Sequence, residues 1–235
     1  MAETGAGPDL YPGVSLPPLL AVQETVLATD VSLVEVVTMA GVVPCLRHGG
    51  PGDGEVAVAL FVGGALGGLS GPAGGHYQRV AERTGGIRLH YRRPGDLDAC
   101  VADVVLVADL LIRRGAASVV LVGHSFGGAV AVGAGVALLG RCAGVVTLAT
   151  QAPGCERVDE LTAPILCIHG EGDTILPHLA SRLVHDLAGG PKELVVLPDE
   201  GHLLSGVAEL LYEKVTAFIL AALGGGAGRG ADPGS

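Results

Sequence analysis

The chain predicts an α/β architecture, a doubly wound and mostly parallel sheet of about eight strands with an antiparallel N-terminal pair and no cap domain. Three observations predict it. Short runs of Val, Ile and Leu alternate with helix-like segments from residue 56 to residue 223. The runs are almost continuously apolar, as expected of strands buried on both faces. One run, 119–122, leads into Gly123-His124-Ser125-Phe126-Gly127 and then into a small-residue apolar segment, a strand–turn–helix transition.

The elements follow in order. Residues 1–21 are rich in proline and glycine and predict a flexible arm. The folded domain spans 22–223, and the glycine-rich 224–235 predicts a flexible tail. Residues 25–37, rich in valine and threonine, and 42–46 read as an antiparallel pair joined by a short turn. Residues 56–62 form a buried strand, followed by a glycine-rich loop, 63–75. A helix over 76–83 stops at Gly85-Gly86, and 87–91 is a strand.

Residues 96–114 form the clearest amphipathic helix. Val101, Val104, Val105, Ala108, Leu111 and Ile112 share a face, and the carboxylates from Asp96 to Asp109 read as its solvated side. Gly115 ends it. Strands then fall at 118–123, 145–149, 165–169 and 194–197, with helices at 126–139, 179–187 and 207–223.

Composition narrows the function classes. Hydrophobic residues are 49% of the chain but aromatics only 3%, so the core must be aliphatic and closely packed. The net charge of −10, with Lys192 and Lys214 as the only lysines, argues against nucleic acid or an anionic membrane as partner. Five scattered cysteines without Cys-x-x-Cys signal neither a zinc site nor a disulfide framework, and read as buried thiols in a reducing compartment. The N-terminus lacks a basic region followed by an apolar stretch, and the apolar stretch 126–140 is shorter than the roughly 20 residues of a membrane span. The expectation is a soluble cytoplasmic protein with no membrane span and an oligomeric state left open. No Gly-x-Gly-x-x-Gly, Gly-x-x-x-x-Gly-Lys or His-Glu-x-x-His occurs, so no cofactor or metal is expected.

The chemistry centres on Ser125. A tight turn between a strand and a helix forces its apex into a strained backbone conformation and holds the side chain out at the strand end. A serine hydroxyl needs a base to take its proton, and the base needs a third group to fix its tautomer. Asp173 lies in the loop after the 165–169 strand and His202 in the loop after 194–197. Asp199 and Glu200 are the alternative acids, each too near His202 in sequence to approach it from another strand. A turn-forming role competes for Asp173.

An oxyanion hole needs two converging N–H groups. Phe126, at the helix start, should supply one, and Gly64, with Ala65 next, the other. His124 is expected to shape the pocket, with Leu176 and Leu203 adding apolar contacts and Arg93 available to a substrate carboxylate. His48, His76, His90, His169, His178 and His185 read as structural or solvated.

Gly-His-Ser-Phe-Gly-Gly at 123–128, His-Gly-Glu-Gly-Asp-Thr-Ile-Leu-Pro at 169–177 and Gly-His-Leu-Leu at 201–204 resemble the nucleophile elbow, acid loop and histidine loop of the α/β-hydrolase superfamily. The resemblance covers roughly residues 25–223 and is closest to small lidless members, dienelactone-hydrolase-like and serine-aminopeptidase-like esterases. It implies a serine hydrolase of a small-molecule carboxylic ester or thioester. A peptidase or amidase with the same triad, or a non-catalytic binding protein of the same fold, are the alternatives.

Two departures stand out. Many members carry a histidine before the first glycine of the oxyanion loop, where this chain has Val62, which bears on the geometry of the hole. Dienelactone hydrolases proper use a cysteine nucleophile, so Ser125 argues against that activity. Only 150–164 separates two strands where a lid would sit, which predicts an open, shallow site.

Overall fold

A computed structural model describes residues 10–49 and 58–224. Nine strands form one sheet in the order β1-β2-β3-β5-β4-β6-β7-β8-β9. β1 (Leu19–Ala28), β2 (Val31–Thr38) and β3 (Gly41–His48) make an antiparallel meander, and β3 also runs antiparallel to β5 (Gly86–Leu89). The remaining pairs, among β5, β4 (Val58–Val62), β6 (Val119–His124), β7 (Cys142–Leu148), β8 (Ile165–Gly170) and β9 (Lys192–Leu197), are all parallel.

The apolar runs explain the layers. Successive side chains in a strand point to opposite faces. In β6, Val119 and Leu121 enter one core with α2 (Leu97–Arg113) and α3 (Phe126–Ala137), whereas Val120 and Val122 enter a second core with α1 (His76–Thr84) and α5 (Ala208–Gly224). β4 and β8 divide in the same way, Leu60 and Ile165 on the first side, Phe61 and Leu166 on the second. A strand buried on both faces has no use for polar alternation, and each such side chain contributes about 1.5–3 kcal/mol. α4 (Leu179–Leu187) adds Val184 to the first core.

Three expectations change. The N-terminal pair is a three-stranded meander, because the 25–37 segment turns at Thr29-Asp30 and its first strand begins at Leu19. The expected arm is therefore packed in part: Tyr11 is buried and its hydroxyl donates to Asp109 Oδ1 at 2.6 Å. Residues 1–9, 50–57 and 225–235 lie outside the described residues, and with them the first two positions of the strand expected at 56–62. The α2 carboxylates are not all solvated. Asp103 is fully buried in an ion pair with Arg92, whose N–H donates to Asp103 Oδ2 at 2.8 Å, and Asp109 is buried beneath Tyr11. A carboxylate is tolerated inside when a cation and hydrogen bonds accompany it.

Among the described residues no helix is long and apolar enough to cross a membrane. All five cysteines are buried free thiols.

Candidate active site

β6 ends at His124 and α3 begins at Phe126, leaving Ser125 alone at the turn with φ 58° and ψ −124°. A positive φ is uncommon for a residue with a Cβ and costs on the order of 1–3 kcal/mol. The surroundings hold it there. Ser125 N–H donates to Leu148 O at 2.8 Å, and Gly128 N–H donates to Ser125 O at 2.9 Å. A Cβ on Gly123 would collide with the Gly127 carbonyl, and one on Gly127 with the Gly63 carbonyl. The two glycines flanking the elbow are thus required by close backbone approach.

Asp173 and His202 stand on the loops after β8 and β9 and meet there. His202 Nδ1 donates to Asp173 Oδ2 at 2.7 Å. Asp173 Oδ1 accepts from Ile175 N–H at 2.7 Å and Leu176 N–H at 2.9 Å. The Asp173 side chain is fully buried and that of His202 is 10% exposed. Burial alone would raise the Asp173 pKa, but the Leu176 N–H, His202 and Ile175 N–H hydrogen bonds outweigh it and hold the carboxyl below its ordinary range. With Nδ1–H given to the carboxylate, the neutral His202 ring keeps its lone pair on Nε2.

Two further histidines join this pair. His169, at the end of β8, is fully buried. Its Nε2–H points between Asp173 Oδ2 and Leu176 O, each 3.1 Å away, and its Nδ1 accepts from Ser181 Oγ at 2.7 Å. The sequence predicts a structural or solvated His169; its spacing of four from Asp173 in His-Gly-Glu-Gly-Asp is the signal for this contact. His124 is buried, and its Nε2–H donates to the carbonyl oxygen of His202 at 2.9 Å. Burial pushes the His124 pKa down to about 4, so the ring is neutral at physiological pH.

A cavity of about 330 Å³ opens beside Ser125, lined by Gly63, Gly64, Ala65, Leu66, Ser70 and His124 among others. Gly64 is near the nucleophile: a Cβ placed on it would lie 3.8 Å from Ser125 Cβ. Gly67 N–H donates to Gly64 O at 2.9 Å and closes the loop. Phe126 N–H is at the first position of α3, where helix donors lack intrahelical partners.

The other expected contact residues are placed as follows. Leu176 is occupied through its backbone with Asp173 and His169. Leu203 is exposed, and its carbonyl accepts from Ala73 N–H at 2.8 Å. Arg93 pairs with Asp96 at 3.2 Å and lines a separate groove of about 730 Å³ over α2 and α3, which does not include Ser125. Among the described residues no cluster of three His, Cys, Asp or Glu side chains is arranged to hold a metal ion.

No family model and no curated protein matches the chain. Solved structures do match. The dienelactone hydrolase of Anabaena variabilis gives a TM-score of 0.71, covering 86% of this chain and 99% of that one at 17% identity. A lidless α/β serine hydrolase from Xanthomonas campestris gives 0.66 over 89% and 100% at 17% identity. Acetyl xylan esterase 1 from Thermoanaerobacterium gives 0.66 over 91% and 90% at 14% identity. The chain has the α/β-hydrolase fold. In open sheets of this kind ligands bind outside the carboxyl ends of the strands. Ser125, Asp173 and His202 follow β6, β8 and β9 at that edge of the hydrolase fold. Between β7 and β8 there is one 3₁₀ turn, Val158–Glu160, and no cap domain.

Proposed function

We propose that the protein is a serine hydrolase that cleaves a carboxylic ester or thioester of a small molecule through an acyl-enzyme. The observation that carries this is the 2.7 Å pairing of His202 Nδ1 with Asp173, beside a serine held at positive φ on the neighbouring elbow. Backbone strain of this kind clusters at sites where a side chain must be presented.

The proposed steps are these. Ser125 Oγ attacks the carbonyl carbon as His202 Nε2 takes its proton. Asp173 keeps the ring oriented and stabilises the imidazolium. The oxyanion is held by the N–H groups of Phe126 and Gly64, with Ala65 the alternative second donor. His202 then gives its proton to the leaving alcohol or thiol, and water enters to release the acid from Ser125. The small, glycine-walled cavity favours a short acyl group. The acetyl xylan esterase among the structural neighbours supports an acyl ester in preference to a peptide. Five unpaired buried thiols accord with action in the cytoplasm.

The test is a panel of esters and thioesters of increasing acyl length with matched anilides, run with the wild type and Ser125→Ala. Turnover of acetyl and propionyl esters that vanishes in the variant supports the reading. Anilide turnover exceeding that of the matched esters would replace it with an amidase.

A further inference from the structure

We infer that Tyr91 is a positioning residue that aims the Gly64 N–H into the oxyanion hole, through its hydrogen bond to the Gly63 carbonyl. The inference rests on the esterase reading above and names the device that builds the hole without a histidine at Val62.

Two tyrosines grip the start of the oxyanion loop. Tyr77 OH donates to Val62 O at 2.9 Å, and Tyr91 OH donates to Gly63 O at 2.8 Å. Both residues are buried, and burial pushes both phenols well above their ordinary pKa, so each stays a donor. From behind, Gly127 of α3 packs directly against the same two carbonyls.

Peptide geometry turns a held carbonyl into an aimed donor. In a trans peptide the C=O and the following N–H point to opposite sides of the bond, and the described residues contain no cis peptide. Fixing Gly63 C=O against Tyr91 therefore turns the Gly64 N–H away from the tyrosine, toward the cavity Gly64 shares with Ser125. Gly64 and Gly67 form an isolated antiparallel bridge, in which the close hydrogen bond is the one from Gly67 N–H to Gly64 O, 2.9 Å.

The bond between two glycines is the place where such a restraint is needed, since neither side chain limits rotation of that peptide plane. Tyr91 also reaches the other donor. Its ring meets that of Phe126 edge to face, centroids 6.3 Å apart at 85°. One side chain thus sets the spacing between the residues that supply both N–H groups. Tyr77 acts one peptide earlier, on the Gly63 N–H, and serves as the control.

The experiment compares the full chain with its Tyr91→Phe and Tyr77→Phe variants. The readouts are kcat and KM for an acetyl ester, the affinity for an alkylboronic acid, and the melting temperature. The tetrahedral boronate on the serine puts an oxygen into the hole. Tyr91→Phe is expected to lower kcat roughly ten- to a hundredfold, somewhat less than deleting a donor outright, and to weaken boronate binding comparably, with KM little changed. Tyr77→Phe is expected to lose melting temperature without that loss of kcat. In the ¹⁵N-labelled wild type, the Gly64 amide should move downfield on boronate binding, a test that holds even if Tyr91→Phe does not fold.

An active wild type with an unaffected Tyr91→Phe, parallel losses in both variants, or an unmoved Gly64 amide would overturn the inference alone. A wild type inert to both ester and boronic acid would overturn the esterase reading and the clamp with it.

Discussion

The imidazole Nε2 of His124 lies 2.9 Å from the backbone carbonyl oxygen of His202, so the residue before the proposed nucleophile holds the residue proposed as its base. The two rings are 4.8 Å apart. His124→Phe keeps the ring and removes the donor. It should lower kcat about tenfold with KM unchanged, because small misplacement of a reacting group is costly. His124→Gln, which retains an N–H, should recover part of the loss. Steady-state kinetics on a short ester checks both.

His169 ties the acid loop to α4 through Ser181, and every polar atom of its ring is bonded. His169→Leu orphans the buried Ser181 hydroxyl and strips one donor from Asp173. It should destabilise the fold by about 1–3 kcal/mol. Ser181→Ala should act in the same direction with a smaller effect. Urea midpoints measure each.

Arg92 and Asp103 form a pair whose side chains are 7% and 0% exposed. Removing one partner of a buried pair leaves the other charge uncompensated, so Asp103→Ala should cost about 3–5 kcal/mol. Arg113 and Asp109, with Arg113 solvated, make a useful contrast. Arg113→Ala should change stability by less than about 1 kcal/mol.

Acid should lower the stability of the protein in two stages. Burial pushes His76 and His124 down from 6.5 to about 4. The unfolded chain therefore binds protons that the folded one refuses, and stability falls as pH drops from about 6.5 toward 4, by at most about 3 kcal/mol per histidine. Asp173 is held below its ordinary 3.8, so its stabilising contribution is complete above that value and is lost as pH falls through the folded one. Unfolding free energy measured across pH 3–8 should show both stages, and His124→Phe should flatten the first.

The parallel half of the fold and the strand ends that carry the proposed site were legible because strands buried on both faces write themselves as unbroken Val, Ile and Leu runs. Ser125, Asp173 and His202 each lie just after one of these runs, and the last two meet in the structure. The β1–β2 hairpin was missed because Thr29-Asp30 carries no glycine or proline to mark a turn. Asp103 reads as a surface acid on a helical wheel, since its partner, Arg92, is on another element. Tyr77 and Tyr91 left no signal at all: their acceptors are main-chain carbonyls, brought to them only by tertiary packing. Arg93 looked available to the site, yet it faces Asp96 and a different groove.

The most direct test of the central claim is covalent labelling. The wild type, Ser125→Ala and His202→Ala are treated with a fluorophosphonate and weighed intact. An activated Ser125 predicts one adduct on the wild type, none on the serine variant and slow labelling of the histidine variant. A well-folded wild type that takes up no adduct, or a Ser125→Ala that labels as fast as the wild type, would contradict the account.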